Sequence, residues 1–557
     1  MTEGDSGRRR LVPTYLDDQQ AAHWRAVGAW TDRMLTELDV AESPDAVIVV
    51  DRDRRLTAAE LRSLSTAVAA RLRADGVSAG DAVAMQVPNW WEAVVVTFAV
   101  ISLGAVLVPL LPGLRERELG QIFREMRPVA AVVPETFRGS PLAARLSQAE
   151  YAPPLVYLLR PAAPGSVRSL AAELAGETSD IDALPGAEGP RDADEPCVVL
   201  YTSGTSSMPK GVIHTHNTLR AEVEGLAAAH RMTPEDVILL PMPVTHVGGL
   251  VYGVLIPALT RTRCVFLDVW EPAAAIELLR REQVTVCIGM PVFLRGILDD
   301  PTFTADAARN LRLFSMGGTR VTPADVAEAA ARLGCWCKRS YGLTEAPTLT
   351  TGPFWDTSRR ADTDGLPISP SRVRIVDAEF RDLPVLTEGE IICVAPELFV
   401  GYVDPHHNIE AFTPDSWFRT GDVGRVDADG FLSVTGRLKD IIIRGGENIS
   451  AKEVEDLLIT LPGLTDVAVV AMPDPVLGER VCAFVESDGD VRLEDIVQFL
   501  REHSVASYKL PERLEQRLAL PRNSAGKLRK DLMRAEVAAL LEAGKGQLRP
   551  GKPADYH

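Results

Sequence analysis

The stretch Val199-Leu-Tyr-Thr-Ser-Gly-Thr-Ser-Ser-Met-Pro-Lys-Gly-Val-Ile213 constrains this chain more than any other. A short apolar run, Cys197 to Tyr201, leads into it. An apolar pair and then helical spacing at Leu219, Val223 and Leu226 lead out, so the hydroxyl-rich turn is expected to join a sheet to a helix. Thr202, Ser203, Thr205 and Ser206 offer hydroxyl donors, Gly204 lets backbone amides approach an anion, and Lys210 adds a charge able to follow a polyphosphate. The turn is not a Walker A loop, because Gly211 rather than Ser or Thr follows Lys210 and Pro209 stands where that helix would start. Alone, such a segment is more often a solvated turn than a phosphate site.

Further segments accompany it in a fixed order. Pro241-Met-Pro-Val-Thr-His-Val-Gly-Gly249 sets His246 in an otherwise apolar run, and Gly317-Gly318-Thr319 follows the apolar run from Leu311 to Met316. Ser340-Tyr-Gly-Leu-Thr-Glu345, Trp417-Phe-Arg-Thr-Gly-Asp422, Gly430 to Asp440 and Pro521-Arg-Asn-Ser-Ala-Gly-Lys-Leu528 come next. In this order they resemble the signatures of the adenylate-forming superfamily, which holds acyl-CoA synthetases, luciferases and peptide-synthetase adenylation domains: TSGTTGxPKG, the FHxxG region, YGxTE, TGD and PRTxxGK. The resemblance spans about residues 45 to 535.

The resemblance implies ATP and Mg²⁺ as cofactors, a small carboxylic acid as substrate and CoA as co-substrate. It assigns the phosphates to Thr202, Ser203, Gly204, Thr205 and Lys210, and the adenine and AMP surroundings to Gly318, Thr319, Ser340, Tyr341, Gly342 and Thr344. Glu345 is the implied Mg²⁺ carboxylate; Asp422 would bond the ribose hydroxyls, to which a carboxylate is well suited. Arg437 would contact ribose and phosphate, Lys439 would mark a hinge, and Lys527 would be the catalytic lysine. Arg444, Gly445 and Gly446 would face a pantetheine thiol once the small domain has turned. The acid pocket falls to His246, Gly249, Met290, Gly317 and Ala346, with His246 gating it; no Asp stands nearby to hold an α-amino group.

The fold expected is α/β: a large N-terminal domain over residues 1–438, of stacked parallel-type sheets with helices, carrying a β-rich subdomain at about 355–438. A small mobile α+β domain over 439–542 and a tail at 543–557 complete it. The residues support this directly. Ala46 to Val50 reads as a strand, Thr57 with Glu60 as a capping box, and Leu61, Leu64, Val68 and Leu72 as a helical stripe ended by Gly76. Val83 to Val87 as strand and Trp90 to Leu103 as apolar helix continue an alternation that runs to about Val133 and argues for a parallel sheet. Residues 136–195, rich in Pro, Ala, Gly and acids, read as surface connections. In the small domain Ser450 with Glu453 reads as a second capping box.

Composition narrows the partners. A net charge of −18 disfavours nucleic acid or an anionic membrane surface. Two uncharged runs, Ala93 to Leu111 and Val237 to Leu259, carry prolines or glycines and read as buried strands and turns rather than membrane spans. Asp17 and Asp18 stand where a signal peptide needs apolar residues, so a cytoplasmic location is expected. Seven scattered cysteines fit reduced thiols. A homodimer is among the assemblies allowed. Nine lysines stand against fifty arginines, and the first is Lys210. Where Lys persists in so Arg-biased a chain, a compact ammonium on a flexible stem is needed.

The pattern, including Pro112 to Leu119, is most similar to cyclohexanecarboxylate- and medium-chain-type CoA ligases. That branch also holds diazotases that adenylate nitrite for transfer to an aryl amine, and loading of a separate carrier protein is a further alternative. A non-catalytic nucleotide-binding homologue is disfavoured because Lys527 and Glu345 are both present. Ser206 and Ser207 replace the usual Thr-Gly of the loop, a small-for-small change.

Overall fold

The computed structural model describes residues 14–15, 17–38, 43–161, 168–176, 192–202, 209–319, 321–355, 359, 361–444, 447–487, 489–503, 505–523 and 526–542. They fall into two compact units, the first drawn from residues up to 202, 209–373 and 393–418, the second from 374–392 and from 419 onward. The class is α/β as expected, with a large sheet domain, a β-rich subdomain and a small C-terminal domain.

Two sheets build the first unit. The six-stranded one runs, edge to edge, Leu155–Leu159, Ala130–Pro134, Ala82–Met85, Val106–Pro109, Pro196–Tyr201 and Gly211–Thr215. All pairings are parallel except the last. The nine-stranded one runs Leu366–Pro367, Thr350–Thr351, Trp336–Tyr341, Leu313–Met316, Val286–Gly289, Val237–Leu240, Arg263–Phe266, Val47–Asp51 and Arg54–Thr57. Its inner strands are parallel and wholly or largely buried, which is why they read as continuous apolar runs rather than alternating ones. Helices Ala58–Ala74 and Trp91–Ser102 pack on each other, and one core joins them to both sheets: Leu61, Val68, Val95 and Phe98 meet Val83 and Leu107 of one sheet and Ile238, Cys264 and Leu313 of the other. Helix Trp91–Ser102 is buried on every side from Glu92 to Ile101 and apolar but for Thr97 and for Glu92, which pairs with Arg160. Both arms of the Thr57–Glu60 capping box form.

Four expectations change. The hydroxyl-rich turn does not join strand to helix; it closes an antiparallel hairpin of Pro196–Tyr201 and Gly211–Thr215, and helix His216–Ala229 begins only afterwards. The strand outlasts its two apolar residues because His214 and Thr215 are themselves buried, and the backbone of residues 400–403 covers its outer edge through Ile213 N to Gly401 O and Val403 N to Gly211 O. The run from Val237 to Leu259 is a strand followed by helix from Val247 to Thr260, with Leu250–Leu255 as a π-helical stretch, a rare form that favours functional sites. The span 136–195 contributes helix Leu142–Gln148 and an edge strand, Leu155–Leu159, with Tyr157 buried. Ser450 Oγ accepts from Glu453 N, but the Glu453 carboxylate pairs with Lys509 Nζ at 2.7 Å instead of returning to the cap. Among the described residues no helix is long and apolar enough to cross a membrane.

The second unit holds most of a four-stranded sheet, Arg372–Val376, Gly389–Val394, Phe418–Val426 and Leu432–Arg437. It also holds a five-stranded sheet of Ile441–Arg444, Glu447–Ser450, Asp466–Asp474, Gly478–Glu486 and Arg513–Arg517. Alternate side chains of that second sheet face opposite ways. Val467 and Val469 pack on helices Ala451–Leu458 and Leu493–Glu502, while Ala468 and Val470 pack on Met533 and Val537 of helix Lys530–Glu542.

Candidate active site

In the first unit the hairpin ends in a closed stem: Thr202 N donates to Lys210 O at 3.0 Å and Lys210 N to Thr202 Oγ1 at 3.4 Å. Ser203, Gly204 and Thr205 lie outside the described residues. The stem brings Lys210 to a neighbour sequence reasoning did not single out. Its Nζ lies 4.8 Å from the ring of Tyr402, whose hydroxyl donates to Glu345 Oε1 at 2.7 Å. Glu345 O accepts from Phe399 N at 2.8 Å. Burial and the Glu345 charge push the Tyr402 phenol well above its ordinary range, so it stays a donor. A cation and a carboxylate are thus set on either side of one phenol, a polar arrangement suited to phosphate oxygens and a metal ion.

A second unanticipated residue ties this cluster together. His214, fully buried, bonds the Thr344 carbonyl through Nε2 at 2.8 Å and Thr218 Oγ1 through Nδ1 at 3.2 Å. Since a carbonyl only accepts, Nε2 carries the proton. Burial pushes the imidazole down to about 4, so it is neutral at physiological pH. Nothing in the sequence marks His214 or Tyr402, because each gains its meaning from a partner more than fifty positions away.

The Ser340–Glu345 segment leaves strand Trp336–Tyr341 with Ser340 Oγ bonded to Ser315 Oγ at 2.8 Å and Thr351 Oγ1 at 2.7 Å. Gly317 lies so close that a Cβ there would sit 2.6 Å from Ser340 O, and one at Gly342 would sit 2.0 Å from Pro347 O. Gly318 (φ +77°) lies beside Met290, whose Cγ is 3.8 Å from its ideal Cβ position, and Thr319 is exposed. Tyr341 is half-buried; Ala346 is fully buried and its carbonyl accepts from Leu343 N. His246 caps the turn Val247–Gly249, its Nδ1 accepting from Gly248 N at 3.3 Å. Gly249 is required by the Pro243 carbonyl, 1.8 Å from where a Cβ would stand. The structure therefore brings Lys210, Glu345 and Thr344 together, and likewise Gly317 with Ser340 and Gly318 with Met290.

In the second unit Asp422 and Arg437 face each other across paired strands, with Arg437 Nε 2.8 Å from Asp422 Oδ1. Asp422 is almost fully buried, so its carboxylate is held in one place. Lys439 occupies the next turn, Leu438–Asp440; burial, then the adjacent Arg437 charge, lowers its ammonium pKa. Asp440 in turn pairs with Arg534 at 2.9 Å. Arg444 leads a ladder, bonding Glu512 at 2.7 Å, which also holds Arg480. Gly445 and Gly446 lie outside the described residues. Lys527 ends a tight turn: its N donates to Asn523 Oδ1 at 2.9 Å, its carbonyl accepts from Asn523 N at 2.8 Å, and Gly526 takes φ +79°.

No group of three or more His, Cys, Asp or Glu side chains among the described residues forms a metal cage. Glu345, held by the Tyr402 hydroxyl, is an oxygen donor of the kind a hard cation takes.

Against known proteins, residues 36–403 match the model of the AMP-binding enzyme family and residues 453–527 that of the AMP-binding enzyme C-terminal domain. The chain is 34% identical over 546 residues to the medium-chain fatty-acid–CoA ligase of Escherichia coli strain K12, covering 95% of both. It is 35% identical over 542 residues to the 2-hydroxy-7-methoxy-5-methyl-1-naphthoate–CoA ligase of Streptomyces carzinostaticus, covering 94% of this chain and 97% of that one. The crystal structure of ATP-bound MatB from Rhodopseudomonas palustris superposes with a TM-score of 0.82 at 28% identity, over 92% of this chain and all of that one.

Proposed function

The chain belongs to the AMP-binding enzyme family of ATP-dependent adenylate-forming ligases, and from that premise we propose that it joins a small or medium carboxylic acid to CoA. What supports CoA as the acceptor is that similarity to two CoA ligases runs through nearly the whole chain, the small domain included.

In the first half-reaction a carboxylate oxygen attacks the α-phosphorus of ATP; the new P–O bond forms as the bond to pyrophosphate breaks. The protein's work is positioning and charge neutralisation. Lys210 and the loop around it hold the departing pyrophosphate, and Lys527 neutralises the carboxylate and α-phosphate oxygens. Mg²⁺, when bound, supplies charge neutralisation at the phosphates. Glu345, oriented by the Tyr402 hydroxyl, is the residue that would hold it. Asp422, fixed by Arg437, takes the ribose hydroxyls. In the second half-reaction the thiol sulfur attacks the acyl carbon and AMP leaves. Lys439 marks the hinge about which residues 439–542 turn to offer the Arg444 loop to the thiol. His246 gates the acid pocket formed with Gly249, Met290, Gly317 and Ala346. ATP and CoA would be drawn from the cytoplasm.

Pyrophosphate release from ATP and Mg²⁺ across aliphatic, alicyclic and aryl acids and nitrite, with and without CoA or an aryl amine, tests the reading. Release that rises with CoA and falls at least a hundredfold in Lys527→Ala is the expected result. Release with nitrite alone, rising with aryl amine, would replace the CoA reading with diazotisation, and adenylation without CoA use would point to a separate carrier protein.

A further inference from the structure

Among the described residues of the first unit, Glu222 Oε1, His230 Nδ1 and Lys338 Nζ are shut away from solvent without a hydrogen-bond partner. They belong to one neighbourhood. Glu222 Oε2 accepts from Thr348 N at 3.3 Å, Tyr252 lies within electrostatic reach of Glu222, and its hydroxyl is 3.2 Å from His230 Nε2. His230 in turn feels the charge of Lys338, whose Nζ stands 4.7 Å from the Phe354 ring. The charges that bear most on Lys338 are cationic, Arg312 and Arg231. Buried polar atoms are nearly always satisfied, and three orphans in one neighbourhood ask for a group that the protein does not supply.

Along the chain this neighbourhood adjoins the residues of the acid pocket proposed above, on which reading this inference rests. Tyr252 is three residues past Gly249 along one helical run. Lys338 is two residues before Ser340 on one strand, with both side chains on one face, and Ser340 Oγ bonds Ser315 Oγ, two residues before Gly317. Thr348 is two residues past Ala346. Helix His216–Ala229 carries Glu222 in from the strand that closes the phosphate hairpin.

We propose that Glu222, His230 and Lys338 form a polar floor to the acid site, and that the acid accepted carries a hydroxyl-type group at the end remote from its carboxylate. Such a group donates to one orphan and accepts from another, which a methyl-terminated chain cannot do. Burial pushes the Glu222 carboxyl up to about 7 and the Lys338 ammonium down to about 7, so either adjusts its proton readily to the group it meets.

The test uses matched acids that differ only in a terminal hydroxyl against methyl, in alkyl and aryl series. For the full chain, kcat/KM for pyrophosphate release is expected to favour the hydroxy acid tenfold or more. Glu222→Gln and Lys338→Met should each bring that ratio to one or below, a change of preference that a merely structural role would not produce. Equal use of both acids by the unaltered protein, or a ratio the two variants leave untouched, overturns the proposal and leaves the cluster as a hydrated piece of core. Calorimetry with the same acid pairs in the presence of AMP separates this from the ligase reading. A hydroxy-acid preference lost in the variants upholds the floor even if no pyrophosphate is released, and equal binding or none refutes it.

Discussion

Tyr402 stands between the only two described groups of the phosphate cluster that carry charge, Lys210 and Glu345. A hydrogen bond to an ionised group is worth about 1.5–3 kcal/mol. Tyr402→Phe should therefore raise the KM for Mg·ATP about tenfold with little change in kcat, measured by pyrophosphate release at fixed acid. Lys338 gives a second expectation, in stability. Its ammonium titrates at about 7 in the folded chain against 10.5 when exposed, so between those values the unfolded chain binds more protons and stability rises with pH. Below 7 the cost of burying the charge beside Arg312 and Arg231 is present in full. Lys338→Met should gain about 1–3 kcal/mol at pH 6.5, a gain that fades by pH 10 in urea unfolding. Residues of this kind are where sequence reading ran out. Lys210, Glu345, Asp422, Arg437 and Lys527 could be proposed from the sequence because their identity and order carry chemistry. Tyr402, His214, Glu222 and Lys338 could not, because an aromatic, a histidine or one charge among its neighbours looks alike whether it is idle or placed.

Turn chemistry and periodicity identified most elements of the fold, and they failed where a polar residue is buried by a remote partner. The Thr57–Glu60 box, the stripe after it and the alternating strands were legible from spacing alone. The hairpin was misread as strand to helix because His214 and Thr215 look like solvent-facing residues, yet one is fastened to Thr344 and the other caps helix His216–Ala229. The helical run after His246 was misread because Pro241, Pro243, His246, Gly248 and Gly249 argue for turns, while packing of Gly253 against Leu240 and Phe266 carries the helix on. Gly249 allows a check at this scale. Its missing Cβ leaves room for the Pro243 carbonyl, so Gly249→Ala must push the turn and the start of the π-helical stretch apart. An overpacking loss of about 1–3 kcal/mol, or more, is expected, read as a lowered Tm with and without ATP.

At the scale of the whole chain, the C-terminal portion has apolar clusters of its own on both faces of its five-stranded sheet, drawn only from residues between 442 and 541. That satisfies the ordinary requirement for independent folding. A fragment spanning residues 440–542 is expected to unfold cooperatively in urea; a featureless, non-cooperative profile would mean that its strands depend on the remainder. The arginine bias has a consequence at the same scale. Acyl-adenylates are acylating agents that attack any amine they meet, including those of the protein that makes them. This chain offers few targets: residues before 210 contain no lysine, Lys338 is buried, and Lys452, Lys509 and Lys530 are ion-paired. An enzyme forming so reactive an intermediate would be shielded from its own chemistry by a chain whose positive charges are mostly guanidinium, poor nucleophiles that keep their protons.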